Sequence, residues 1–313
     1  MDFVNQAVFK ASVTAFVSPD LATNQHLQDI IAFDDHLPPV FLGIPMAWIK
    51  SGRNARESLF QTVSKIQTQH LSPVLQSQTK LMQSLGLSLE DIQRTTLFLL
   101  WASVGNSMPA VFWVLFFLLK HPDALQAVQT ELQQFPHDHD QPWTTQEIDQ
   151  MVVLQSVFTE TLRMASSLRV LRDVLQDFDL NLKQPNQPNY RVQKGSVVVS
   201  FLPLLHFNPD IFDNPHSFQW DRFLPNKNTS SNLDSMMRAF GGGVHLCPGR
   251  KFIANEVKVF VATLISNCDM RLAPHDDCHY YDQIQASKWR QGAGIPQPNL
   301  PVDIQLKFKP KKL

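Results

Sequence analysis

The chain is patterned around one apolar stretch. From Thr95 to Leu119 there is no charged residue. By length that stretch could cross a bilayer. Ser103, Gly105, Asn106, Ser107 and Pro109 interrupt its middle, however, and polar groups are costly in a bilayer core. The pattern predicts a central long helix over about 88–120, buried through a globular core. Upstream, residues 1–20 read as the end of a helix and a loop, 22–36 as a helix, and 52–84 as one or two polar-faced helices. His121-Pro122 ends or kinks the central helix, and 122–134 form the next one. Thr144-x-x-Glu147 is a capping box, and Met151, Leu154, Phe158 and Leu162 continue the helix it opens. Alternation and turn residues predict small sheets near 175–205 and 276–310, with Val197–Phe201 as a strand. Residues 207–235 are loop-rich around Pro209, Pro215 and Pro225. Ile253, Val257, Phe260, Val261 and Leu264 recur at helical spacing. No internal repeat appears. The fold class is mostly α with small β-sheets.

One short run has two readings. Leu37–Ile49 is apolar, broken by prolines, and followed by Lys50, Arg53 and Arg56. It is either a buried loop or an interfacial patch of Phe41, Leu42, Ile44, Met46, Trp48 and Ile49 that dips into a membrane surface.

Composition narrows the function classes. Of 313 residues, 43% are hydrophobic, enough for a sizeable core. Lys+Arg 27 against Asp+Glu 28 gives a net charge of -1, so nothing points to nucleic acid. There are three cysteines, Cys247, Cys268 and Cys278. Their odd number and spacing argue against a disulfide framework and for a reducing compartment. His137-Asp-His-Asp140 reads as a solvated loop rather than a metal site, being short and without a third anchor.

The candidate chemistry lies in Phe240-Gly-Gly-Gly-Val-His-Leu-Cys-Pro-Gly249. A glycine-rich turn runs into a cysteine, and Pro248 is placed to open the following helix. Cys247 then stands at a helix N-terminus, where the dipole favours a thiolate. Glycines let a flat ligand approach the backbone. A thiolate in such a cradle suits an axial haem ligand. Phe240, Gly243, Cys247 and Gly249 resemble the F-x-x-G-x-x-x-C-x-G haem-binding signature of cytochromes P450.

Two further elements agree. Glu160-Thr-Leu-Arg163 puts an acid and a base on one face of an apolar helix, and Arg222 in Trp220-Asp-Arg-Phe223 is a third member. They resemble the family's E-x-x-R and P-E-R-F elements, although Trp220 and Asp221 depart from the usual pair. In that family the trio is structural. Leu100–Trp113, Lys120–Ala124, Asn54–Glu57 and Ile44-Pro45 look like the group of sterol 7α-hydroxylases, sterol 12α-hydroxylases and prostacyclin synthases. The wording, including Phe240, is closest to the oxysterol/cholesterol 7α-hydroxylase branch.

The resemblance implies a cytochrome P450 fold lacking its N-terminal third, so that residues 1–313 form the C-terminal two-thirds of one domain. The membrane anchor and a W-x-x-x-R helix have no counterpart, and apolar faces of the central helix are expected to lie open to water. The implied cofactor is haem b (iron protoporphyrin IX), with electrons from NADPH through a reductase. The implied substrate is a sterol or other lipid, and the implied place is the cytoplasmic face of the endoplasmic reticulum membrane. Asn106 and Ser107 occupy the acid and threonine positions used in oxygen activation; Ser107 keeps a hydroxyl for proton delivery or simply packs. Arg172 matches the family's propionate arginine. His245 replaces a common arginine and either bonds a propionate or faces solvent. Arg238, Arg250, Lys251 and Lys258 cluster around the cysteine loop, as either a basic patch for an acidic reductase or an ordinary solvated face. The alternatives are a prostanoid endoperoxide isomerase and a haem-free, non-catalytic fragment.

Overall fold

Short polar caps and prolines punctuate the first half of the chain into helices. Helix α1 spans Asp2–Phe16, a longer helix than residues 1–20 suggested. Thr23 accepts from the His26 amide to start α2 (Asn24–Asp35). The apolar run contributes the short α3 (Leu37–Phe41). Next come α4 (Lys50–Lys65) and α5 (Pro73–Ser84), the latter capped by Ser72 with Pro73 in its first turn. The computed structural model describes residues 2–41, 43–135, 141–182, 189–225, 227, 233–287 and 294–309. Leu42 and His137–Asp140 therefore lie outside the described residues.

The central apolar stretch forms two helices, α6 (Leu89–Val104) and α7 (Ser107–Lys120), not one. They part at Gly105–Asn106. All of Ser107–Phe116 is buried, with Leu118. Among the described residues this is the one segment long and apolar enough to cross a membrane, and 78% of its apolar window is buried inside the protein. The expectation that apolar faces of this helix would lie open to water is thus overturned for α7. Its neighbours α1, α10 and α13 cover it. Exposed apolar side chains are found on α6 at Leu89 and Phe98.

Pro122 opens α8 (Pro122–Leu132). The Thr144–Glu147 capping box is present, but it opens only α9 (Thr145–Gln150). Met151 leaves helical geometry, and a separate helix α10 (Val152–Ala165) follows. The Glu131 carboxylate accepts from the Val153 and Leu154 amides at 2.6 and 2.9 Å. It thereby satisfies the free donors of the α10 N-terminus.

The sheets are small and two-stranded. Strands β1 (Arg169–Asp173), β2 (Phe178–Leu180), β3 (Tyr190–Val192) and β4 (Val197–Phe201) pair antiparallel as β1–β4 and β2–β3. Arg169 faces Phe201 and Asp173 faces Val197. Two short helices follow, α11 (Leu202–His206) and α12 (Leu233–Met236). Helix α13 (Arg250–Asn267) begins two residues after Pro248, with Gly249 as its cap. Pro248 is therefore outside the helix rather than in its first position. Strands β5 (Cys268–Leu272) and β6 (Ile304–Phe308) close the chain antiparallel. The last sheet thus starts at Cys268, immediately after α13.

Candidate active site

Glu160 and Arg163 sit three apart on α10, which aims both inward. Arg163 Nε and Nη2 donate to the two Glu160 oxygens at 2.8 Å each. Arg222 Nε donates to the same carboxylate at 3.1 and 3.2 Å. The Gln219 amide adds a fourth donor at 3.0 Å. Arg163 Nη1 continues to the carbonyls of His206 and Pro215 at 2.8 and 2.7 Å, and Arg222 Nη1 to that of Asp213 at 2.8 Å. All three ionic side chains are buried. A buried ion set of this kind holds only because nearly every donor is matched. The Trp220–Phe223 element docks on α10 through Ser156, which donates to the Trp220 carbonyl at 2.6 Å and accepts from the Phe223 amide at 3.1 Å.

The trio is wired to the cysteine loop by a residue absent from the sequence reading, His206. Its carbonyl takes the Arg163 bond, while its Nε2 accepts from the Arg238 amide at 3.3 Å. His206 is wholly buried, and its Nδ1 meets no partner among the described residues. Burial, then the positive charge of Arg163, lowers its pKa to about 4. The ring is therefore neutral. A bulky histidine in a proline-rich helical pattern was the available signal, but its phase is not readable in so short a helix.

From Arg238 the loop turns tightly. The Gly241 amide donates to the Arg238 carbonyl at 2.8 Å, and the Cys247 amide to the Phe240 carbonyl at 3.0 Å. Gly241 and Gly243 have φ of 76° and 64°, a region where a Cβ is penalised. Phe240 is half-buried and packs on the core, anchoring the loop. Arg250 Nη1 holds the Cys247 carbonyl at 3.1 Å. Cys247 is a half-buried free thiol, and Gly249 is close behind it, so that a Cβ there would lie 3.8 Å from Sγ. Val244, 96% exposed, and Leu246 leave an apolar tip open. A free thiol, an open glycine turn and an uncovered apolar tip fit the axial side of a haem.

The other expected site residues are less gathered. His245 is exposed in the turn Gly243–His245. Arg172 is exposed on β1, opposite Val198, and donates to the Leu171 carbonyl at 2.7 Å. Among the described residues it meets no carboxylate, so its fork is available to one. Ser107 is buried and donates to the Ser103 carbonyl at 2.7 Å. Asn106 accepts from the Ile295 amide at 3.0 Å.

A second unforeseen residue lies on α13. Glu256 Oε1 bonds the Ser12 hydroxyl of α1. Burial raises the Glu256 pKa, with the Ser12 and Ser107 hydroxyls pulling the other way. Oε2 is buried and makes no full hydrogen bond among the described residues. The carboxyl thus joins α1, α7 and α13. An acid on the same helical stripe as Ile253 and Phe260 was the signal.

The basic patch needs one correction. Arg238 and Lys251 are exposed. Lys258 is 5% exposed and donates Nζ to the Ile148 carbonyl at 2.8 Å, capping the end of α9. It belongs to the packing, not to a docking surface. Arg238, Phe240, Arg250 and Lys251 with Phe158 and Leu162 line a groove of about 710 Å³.

Comparison with known proteins agrees with this architecture. The sequence model of the family described as Cytochrome P450 matches residues 18–288. The chain is 30% identical to 25-hydroxycholesterol 7-alpha-hydroxylase of Rattus norvegicus, over 99% of this chain and 78% of that protein. It is 28% identical to Cytochrome P450 7B1 of Mus musculus, over 98% of this chain and 64% of that protein. It is 30% identical to 5-beta-cholestane-3-alpha,7-alpha-diol 12-alpha-hydroxylase of Sus scrofa, over 85% of this chain and 55% of that protein. Among solved structures, retinoic acid bound cyanobacterial CYP120A1 superposes with a TM-score of 0.78 at 21% identity, over 98% of this chain and 69% of that one. Signature, trio and fold converge: the chain belongs to the cytochrome P450 family.

Proposed function

We propose that this chain carries the haem-thiolate centre of a monooxygenase that hydroxylates a sterol or oxysterol. The observation that carries the reading is Cys247: a free thiol at the end of a glycine turn, tied through Arg238 and His206 to a buried, densely hydrogen-bonded ion trio. Cys247 would ligate the iron of haem b, with Phe240, Gly243 and Gly249 shaping the cradle and Arg172 and His245 available to the propionates. Bound there, haem would supply oxygen activation with two electrons from NADPH through a reductase, the Cys247 thiolate lending it electron density.

The chain's own residues do the rest. The trio holds the floor of the loop rigid, so Sγ is presented without reorganisation. The Ser107 hydroxyl, which donates to the Ser103 carbonyl and lies beside the Glu256 carboxyl, can hold a proton at Oγ. Arg238 and Lys251 offer positive charge to an acidic redox partner. Sterol as substrate class follows from relatives that are named sterol hydroxylases at about 30% identity.

A membrane surface suits such a substrate, because a sterol is dissolved in the bilayer. Phe41 and Trp48 are 62% and 80% exposed, with Ile44 also exposed, beside Lys50 and Arg53. This favours the interfacial reading of the run over the buried loop, at the cytoplasmic face of the endoplasmic reticulum.

The test is spectral. The haem-loaded protein should show the red-shifted ferrous–CO Soret band of a thiolate haem. Cys247→Ala should abolish it, and Cys268→Ala and Cys278→Ala should leave it. An unchanged band in Cys247→Ala overturns the reading. NADPH-dependent oxygen consumption separates a monooxygenase from the prostanoid isomerase.

A further inference from the structure

Helix α5 has two apolar faces. Leu75 and Thr79 are buried and seat the helix on the body. Val74, Leu81 and Leu85 recur at i, i+7 and i+11 on another face, and are 60%, 59% and 68% exposed. A surface helix ordinarily shows polar residues there.

The chain then turns at Gly86, whose φ is +78°. The Gly86 amide donates to the Gln83 carbonyl at 3.0 Å, and the Leu87 amide to the Met82 carbonyl at 3.1 Å. This pair of bonds folds the residue after the glycine back toward the last turn of the helix. Ser88 then caps α6, accepting from the Asp91 amide at 3.1 Å. Leu87 and Leu89, exposed on either side of Ser88, thereby join Leu81 and Leu85 in one apolar corner. Its exposed side chains amount to roughly 500 Å² of apolar surface, the size that marks an interaction site on a soluble protein.

Charge decides what fits it. Lys80 precedes the leucines on α5, is exposed and makes no ion pair among the described residues. Glu90 and Asp91 follow them on the first turn of α6. With Arg94, which pairs with Glu90, the stretch from Val74 to Arg94 carries two cations and two anions. It therefore offers an anionic bilayer no net attraction, and it has no aromatic anchor. A strongly acidic or basic partner gains nothing from it either. A cation before an apolar centre and anions after it do match one partner, the same corner turned by a two-fold rotation. Two copies would together bury about 1,000 Å², the lower limit for a specific interface.

We propose that the α5–α6 corner is a self-association surface: a second copy of this chain packs its leucines against these, with Lys80 of each copy meeting the first-turn acids of the other. The dimer is weak and reversible, as its area dictates. It stands independently of the haem-thiolate reading, since the corner is remote in sequence from the cysteine loop.

Sedimentation velocity of the whole chain, across roughly 1–100 μM where so small an interface is populated, tests this. The native protein should pass from monomer to dimer. Leu85→Glu should weaken association at least about tenfold, because a charge replaces a buried leucine. Leu175→Glu, at an equally exposed leucine elsewhere, should leave it unaltered. Lys80→Glu and Glu90→Lys should each weaken it, and the double swap should restore it, which no change in general stickiness would do. A native protein that stays monomeric throughout overturns the proposal. So does association that survives Leu85→Glu, or a double swap no better than the single ones. Loss of binding to neutral vesicles in Leu85→Glu, with self-association unchanged, would make the occupant a membrane instead.

Discussion

Arg163 meets Glu160 in a two-pronged pair, Nε to Oε2 and Nη2 to Oε1, both at 2.8 Å, with neither side chain exposed to water. The remaining Arg163 contacts run to the carbonyls of His206, Pro215 and Ser217, to the Met164 sulfur, and to the faces of Phe207 and Phe212 at 5.6 and 5.2 Å. The guanidinium is in effect a junction between α10 and the loop-rich region that follows α11. Arg is needed there because a lysine ammonium lacks the planar fork.

Breaking that junction from one side strands a buried charge. Glu160→Gln or Arg163→Gln should cost about 3–5 kcal/mol of unfolding free energy. Arg222→Lys should also destabilise, but less, since Arg163 alone still bonds both Glu160 oxygens. Urea unfolding of the whole chain measures this. A loss below about 1 kcal/mol in Glu160→Gln would mean the trio is not what holds the loop region.

His206 makes stability depend on acid. Its folded pKa is about 4, below the unfolded value near 6.5. A group depressed in the folded state contributes its full stabilisation above the unfolded value. That contribution is lost as pH falls from about 6.5 through 4 and reaches about 3 kcal/mol. Protonation would also turn Nε2 into a donor and break the bond from the Arg238 amide. His206→Gln should flatten the pH dependence of unfolding by about one proton in that window. An unaltered slope would show that the ring does not titrate against folding. Carboxylates titrate there too, so the difference between the two proteins is the informative quantity.

Trp48 should govern membrane attachment. Its side chain and Phe41 stand clear of the body while cations lie alongside, and each immersed large apolar side chain contributes roughly 1.5–3 kcal/mol. Co-sedimentation with anionic vesicles should fall at least tenfold in Trp48→Asp. Phe98→Asp, on an exposed part of α6, should leave it unaltered. Equal binding by both variants, or equal loss, would remove the patch as the attachment site.

Much of this protein was legible before any coordinates. The signature Phe240–Gly249, the Glu160–Arg163 spacing and the helical phases of α10 and α13 are local: they follow from which residues lie three or four apart, or from which turn needs glycine. The apolar stretch at 95–119 correctly announced a buried core element. Several boundaries were still misread, and two of them are instructive. The helix at 88–120 divides at Gly105–Asn106, because the Asn106 side chain finds its partner at Ile295 rather than in the next turn. The capping box ends at Met151, because Glu131 from α8 caps a new helix. Lys258, a surface cation by composition, is buried because the end of α9 gives its ammonium a carbonyl. His206 and Glu256 acquire their meaning only from partners tens or hundreds of residues away. Periodicity records the environment of a helix face on average. Which single donor meets which acceptor is decided by how the helices pack, because an unmatched buried polar group is costly enough to select among packings.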